Sequence, residues 1–463
     1  MIEKYYSGVI EQIYNRIGKE TRNIVMANYS NDFSIENLEV IRRYQSNEDN
    51  VFFAYSEFSY NTLVGAYEPF LDIICNMHRR FIGGSFDDFQ KECGVYYLHR
   101  QVLNSYYETG ECFREETVLL NEVAYEQRRM TKAIVDMLKR LSEVRPLMIV
   151  INRFQMASKS SIETIKYLID NPCTNIGIVL GVNVQVKGTD STVEVWDRIV
   201  ESLEDRSAIY YIGSAGQQKN HIRDTSDDEL YITTNFEQSI QEASNIMEFL
   251  DYEQAKRGCR IIEHKIKFED AWIDEKSLRR FYFIYARTSV LLGEMSKAIE
   301  LTNEYKALIP ESDSEHYFSI YYFMKGTCYM YQGKLEKAEG CAKKAYDYAL
   351  LADDELLEFK SELLSVMIKM SGWYNIFFCV QDIPVSDEFI EKIIKHGYRN
   401  HLAHIYIYAY DNSRDVVKQS FYDESLLKHF TKGLELAKKI GNEQLVYDAY
   451  QKTIMLASTN GLN

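Results

Sequence analysis

The feature that most restricts the fold is a register of small residues in the second half of the chain. Ala286, Gly293 and Ala298 recur as Gly326, Gly333 and Ala338, an offset of 40 residues in each case, and Ala345 follows them. Small residues at fixed helical positions let two antiparallel helices approach closely, and a turn glycine joins them. Such a pair cannot bury its apolar face alone, so stacked copies share a continuous core, as in a helical solenoid. Ala243 and Ala255 are spaced like Ala286 and Ala298 and predict an earlier unit. A late segment, KGLELAKKIGNE, matches KAYDYALLADDE at an offset of 88 residues (433 − 345), room for two units. Residues 370–400, with Trp373 and Pro384, break the pattern and predict a degenerate repeat.

Five prolines among 463 residues leave few helix breakers, which favours a largely helical protein. The first half has a different pattern. Short apolar runs at 23–27, 147–151 and 176–181 have strand character, and a helical stretch from Ser160 to Asp170 joins the last two. Apolar runs alternating with amphipathic helices predict a parallel sheet with helical crossovers. Residues 214–234 are polar and rich in Gly, Ser and Asp, as a linker would be. The expected organisation is therefore an α/β domain over 1–213, a linker over 214–234, and helical repeats over 235–463. The last helix looks like the opening of a further repeat, so the repeats are expected to be truncated at the C-terminus.

Lys and Arg number 53 and Asp and Glu 69, for a net charge of −16. An acidic chain repels phosphate backbones and anionic lipid, so neither nucleic acid nor a membrane surface is an expected partner. No apolar run approaches the ~20 residues that cross a bilayer. The N-terminus has charges throughout and lacks the apolar core of a signal peptide. Eight solitary cysteines without a CxxC pair read as buried small hydrophobes in a reducing compartment, so a cytoplasmic location is expected.

The block most informative about chemistry is RPLMIVINRFQMASKSSIETIKYLID, residues 145–170. It resembles the Walker B region of the signal-transduction ATPases with numerous domains, in the branch fused to tetratricopeptide repeats in MalT-like regulators and some nucleotide-cyclase proteins. In that family the strand typically ends in two acids, followed by hydrophobic–Gln–Trp and another acid. Here those positions hold Asn152, Arg153, Phe154, Gln155, Met156 and Ser158. The acids hold the magnesium ion and polarise the attacking water. A neutral amide at 152 is at best a weak ligand, and Arg153 puts a positive charge where the cation or base belongs.

The resemblance implies a phosphate-binding loop after the first strand, of the form G-x-x-x-x-G-K-[ST]. Ala27, Asp32, Phe33 and Ser34 fall on its marked positions, and only Ser34 is retained. The loop glycines let backbone N–H groups cradle phosphate and the lysine neutralises it. Asp32 adds a negative charge instead, and Phe33 removes the positive one. Residues 51–55 and Ala66–Tyr67–Glu68–Pro69–Phe70 resemble the family's second strand and its aromatic–Pro–Phe helix entry. Gly181–Val182–Asn183 stands where the family often has a nucleotide-sensing arginine, and no arginine is present there. The resemblance spans about residues 10–215.

Other candidates for chemistry are weaker. His401 and His404 lie three apart on a helical stretch, a spacing that would suit a metal only if carboxylates joined them. They are expected instead to be two partly exposed solenoid histidines. Cys93 and Cys112 have only His99 nearby in sequence, too little for a nucleophile. Tyrosines crowd two adjacent repeats, from Tyr282 to Tyr331, and most are expected to pack between helices.

The expected fold is a degenerate P-loop-like α/β domain followed by an all-α, tetratricopeptide-like solenoid. The expected role is non-catalytic: a pseudo-ATPase joined to repeats that bind a protein or peptide, with self-association as a further expectation and with no cofactor or metal. The alternatives are a divergent ATP-binding signalling ATPase, or a fragment of a longer regulator whose helix-turn-helix or cyclase output domain lies elsewhere.

Overall fold

The computed structural model describes residues 2–30, 38–46, 50–59, 63–114, 116–186, 193–212, 236–268, 273–374, 385–408 and 424–459. The chain divides into two compact units. The first comprises Met1–Val95, His99–Phe113 and Glu126–Ile273. The second comprises Tyr96–Leu98, Arg114–Tyr125 and Asp274–Asn463.

The first unit opens with α1 (Ile2–Arg16), β1 (Ile24–Tyr29), α2 (Glu39–Ser46) and β2 (Phe52–Glu57). Helices α3 (Phe70–Met77), α4 (Phe86–Glu92), α5 (Tyr97–Thr109) and α6 (Val123–Val144) follow, the first residues of α5 and α6 counting with the second unit. Then come β3 (Leu147–Asn152), α7 (Lys159–Asp170), β4 (Ile176–Asn183), α8 (Val193–Glu204) and β5 (Ile209–Ile212). The five strands form one parallel sheet in the order β2-β3-β4-β1-β5. Every residue of β3 and β4 is buried, which is why both read as unbroken apolar runs rather than alternating ones. The edge strands β2 and β5 are only partly buried. For that reason β5, Ile–Tyr–Tyr–Ile, leaves little trace in the sequence.

Helix α1 lies on the sheet through Tyr6, Ile10 and Ile13, all fully buried at helical spacing. Two glycines of β4 make the seat. A Cβ on Gly177 would stand 2.9 Å from carbons of Ile17, and one on Gly181 would meet the Tyr6 hydroxyl.

Helices α9 (Phe236–Glu248) and α10 (Tyr252–Phe268) complete the first unit. Hydrogen bonds fasten their hairpin to it. The Asn245 side chain accepts from Cys112 N–H at 2.9 Å, and Gln127 donates to the Leu250 carbonyl at 2.7 Å. Gln254 donates to the Val64 carbonyl at 2.9 Å, and Asp251 accepts from Ser160 N–H at 3.0 Å. This differs from the expected division at 214–234, which placed Ala243 and Ala255 in the repeats. Those alanines are buried, but in the first unit. Their spacing reports close helix packing, and such packing is not confined to a solenoid. The expected linker itself falls outside the described residues.

The second unit is helical: α11 (Glu275–Leu291), α12 (Met295–Ala307), α13 (Ser314–Tyr331), α14 (Leu335–Leu351) and α15 (Glu355–Tyr374). Helices α16 (Asp387–Lys395), α17 (Arg399–Tyr408), α18 (Glu424–Ile440) and α19 (Glu443–Thr459) follow. Pro384 lies outside the described residues. Helices α13 and α14 run antiparallel, because Ser319 donates to the Ala345 carbonyl while Gly326 faces Ala338 and Cys341. Ala286, Ala298, Ala338 and Ala345 are buried to 1% exposure or less. Gly293 and Gly333 occupy the turns after α11 and α13 with φ of +77° and +71°, a left-handed backbone that glycine adopts without penalty.

The longer offset extends to the turn geometry. Asp353 and Gly441, 88 residues apart, both have positive φ after α14 and α18. Asp354 and Asn442 then accept from the N–H groups of Leu357 and Leu445, each at 2.9 Å. These are equivalent N-caps.

Candidate functional site

In an open parallel sheet the ligand crevice lies outside the C-terminal ends of the strands. Here that edge is built by the ends of β1, β3 and β4. Asn152 closes β3 and is fully buried. Its side-chain oxygen accepts a hydrogen bond from the Tyr29 hydroxyl at 2.6 Å. Tyr29 ends β1, and β4 lies between the two strands. The bond passes over Gly181, where a Cβ would stand 2.8 Å from the same Asn152 oxygen. Tyr6 packs edge-on against Tyr29, with ring centroids 6.4 Å apart. Burial, with the neighbouring Tyr29, Tyr55 and Glu57, holds the Tyr6 phenol well above its ordinary range, so it is neutral.

Arg153 follows with a left-handed backbone, φ 54°. Its guanidinium pairs with Glu57 at 3.1 Å and donates to the Phe58 carbonyl at 3.4 Å. Glu57 also accepts from the Tyr55 hydroxyl. The two positions that the resemblance reserves for acids thus hold an amide that already accepts a phenol hydrogen bond and a cation already matched by a carboxylate.

Beyond them, Phe154 is fully buried and packs on Trp196 at 5.9 Å. Gln155 accepts from Asn183 N–H at 3.3 Å, and Asn183 accepts from Gln185 N–H at 3.0 Å. Helix α7 starts at the N-cap Ser158. Its first turn is covered by the buried Asp251 carboxylate on Ser160 N–H. Burial raises the Asp251 carboxyl, and the hydrogen bonds from Ser160 and Gln254 oppose that rise. Ala27 is buried within β1. Asp32, Phe33 and Ser34 lie outside the described residues.

Cys93 is no nucleophile at neutral pH, since burial pushes its thiol up to about 11. His99 is buried, and its Nε2 lies 3.0 Å from the Glu126 carboxylate.

His401 and His404 require a correction. They are buried, at 3% and 5% exposure, not partly exposed. Each meets a buried carboxylate. Glu116 Oε1 lies 2.6 Å from His401 Nδ1, and Glu122 Oε1 lies 2.9 Å from His404 Nε2. Both acids come from Arg114–Tyr125, a segment of the second unit that no sequence motif marks. The only sequence signal was the helical i, i+3 spacing of the two histidines. Among the described residues, no three His, Cys, Asp or Glu side chains form a group able to hold a metal ion. No described helix is long and apolar enough to cross a membrane.

Compared with protein-family models and with curated proteins, the chain matches none.

Proposed function

We propose that the chain is a non-catalytic regulatory or scaffolding protein, with a pseudo-ATPase first unit and a helical second unit that binds a protein or peptide. The observation that carries this reading is the pairing at the end of β3: Asn152 with Tyr29, and Arg153 with Glu57. Magnesium and an attacking water need free carboxylate oxygens at this edge. At these two positions the chain offers a neutral amide oxygen and a guanidinium. The all-parallel five-stranded sheet with helical crossovers supports an α/β first unit of the kind the resemblance implies. The buried small residues and glycine turns of α11–α14 support the repeat reading. The reading places the protein in the cytoplasm, away from nucleic acid.

Thermal melting with and without millimolar magnesium–ATP tests the proposal. A ligand at 100 times its dissociation constant stabilises by about 2.7 kcal/mol, a shift of several degrees or less in a chain of this size. The expected result is no shift. A shift without phosphate release would convert the first unit into a nucleotide sensor, and a shift with release would overturn the reading.

A further inference from the structure

The segment Arg114–Tyr125 is held in the second unit as a ligand is held. Glu116 enters the N-terminus of α17. One of its oxygens accepts from His401 N–H at 2.7 Å and lies 2.6 Å from the His401 ring nitrogen. The other accepts from Asn400 N–H at 3.2 Å and from the Tyr97 hydroxyl. Exposed N–H groups and the positive end of the helix dipole make such a helix start a carboxylate receptor. Six residues on, Glu122 is gripped by a second set of donors. His404 contacts it at 2.9 Å, and the amides of Asn400 and Asn442 donate to it, each at 2.8 Å. Asn442 Nδ2 also donates to the Asn400 oxygen at 2.7 Å, which orients both amides. Between the two acids, Leu120 N–H donates to the Tyr331 hydroxyl at 3.3 Å. The receptor is therefore assembled from Tyr97, α13, α17 and the turn before α19, all within the second unit.

The groups that meet the two carboxylates are all donors: two imidazoles, two carboxamides, the Tyr97 hydroxyl and two helix N–H groups. Removing the two carboxylates would leave these donors buried without acceptors, which is costly. A protein that only needed to pack this face would do so with apolar side chains at no such cost. The arrangement instead fits recognition of two carboxylates at a fixed separation.

We propose that Glu116–Glu122 is an autoinhibitory pseudo-ligand, and that the face it covers on α17 and the α18–α19 turn receives an acidic peptide of a partner with a Glu-x5-Glu spacing. The inference rests on the reading of the helical unit as peptide-binding and names the partner's chemistry. Displacement is an exchange of like for like: each carboxylate–imidazole contact that breaks is replaced by an equivalent one, so the partner competes mainly through local concentration and flanking contacts.

The test uses the full chain and a labelled synthetic peptide spanning residues 112–126. In the E116Q/E122Q chain the internal competitor is weakened, and the peptide should bind at least ten-fold more tightly than to the unaltered chain. A peptide with Gln at both positions should lose that advantage. A folded E116Q/E122Q chain that binds neither peptide, or both equally, would overturn the proposal. If that variant does not fold, hydrogen exchange of the unaltered chain decides. The Asn400 and His401 amides should exchange at least ten-fold faster than those of Ile405 and Ile407, through release of the segment alone. Equal rates would mean that the segment leaves only on unfolding, and would overturn the proposal too. No nucleotide enters either experiment, so failure here leaves the pseudo-ATPase reading standing, and phosphate release would leave this inference standing.

Discussion

The Tyr29 hydroxyl donates to the Asn152 side-chain oxygen at 2.6 Å, across the strand that separates them and directly above Gly181. Two consequences follow from that geometry. The end of β3 is already satisfied without a metal, and the glycine is required because any side chain there would enter the bond.

Tyr29→Phe should therefore destabilise the first unit by about 1–3 kcal/mol, because it removes a buried donor opposite a buried acceptor. Gly181→Ala should cost a similar ~1–3 kcal/mol through overpacking against Tyr6 and Asn152. Urea unfolding of each variant checks both values. A neutral Gly181→Ala would mean that the bond does not pass over that position.

Arg153 has a left-handed backbone, which a side chain tolerates at a cost of roughly 1–2 kcal/mol. Arg153→Ala and Arg153→Gly both lose the pair with Glu57, and only the glycine relieves the backbone. The glycine variant should be the more stable of the two by about 1 kcal/mol. Equal midpoints and slopes in denaturant would refute the backbone assignment.

Within α14, two small residues should respond in opposite directions. Ala338 is fully buried against α13, and Ala338→Leu should destabilise by ~1–3 kcal/mol. A Cβ on Gly340 would meet nothing within 4 Å, so Gly340→Ala should stabilise by about 0.5–1 kcal/mol through helix propensity. Ala298→Leu should behave like Ala338→Leu. Paired thermal melts decide, and loss of the contrast would argue against close pairing of α13 with α14.

Glu122 supplies the pH dependence. Burial alone would raise its carboxyl. The His404 charge and the hydrogen bonds from His404, Asn442 and Asn400 outweigh burial and hold it at about 2. The folded value lies below the unfolded one, so the contribution to stability is fully present above the unfolded carboxylate range near ~4.3. It is lost as pH falls toward 2, and amounts to about 3 kcal/mol. Glu122→Gln should be the less stable protein at pH 7, with a shallower loss of stability between pH ~5 and ~2. An unchanged acid limb in urea titrations would contradict the assignment.

How much of this was legible in the sequence depended on how far the cause lay from the residue. Strands β3 and β4 announce themselves because burial on both faces leaves only apolar residues, as in Leu147–Ile151. The turns at Gly293 and Gly333 are likewise local, since a backbone at φ above +70° selects glycine at the position itself. The strand β5 was missed because a half-exposed edge admits Tyr210 and Tyr211. The spacing of Ala243 and Ala255 marks close helix packing but not the unit that uses it, because such packing has one signature in either unit. The partners of His401 and His404 were not readable at all. Glu116 and Glu122 lie more than 280 positions earlier in the chain, and no local pattern links them. At the end of β3 the resemblance singles out positions 152 and 153, whereas the pairing of Asn152 with Tyr29 and of Arg153 with Glu57 emerges only from the folded sheet.

The most direct test of the central claim is a phosphate-release assay on the purified full chain with millimolar magnesium and ATP, run beside the N152A and R153A variants. The account predicts that release from all three equals the protein-free background. Release from the unaltered chain that rises in proportion to protein and disappears in N152A would contradict it.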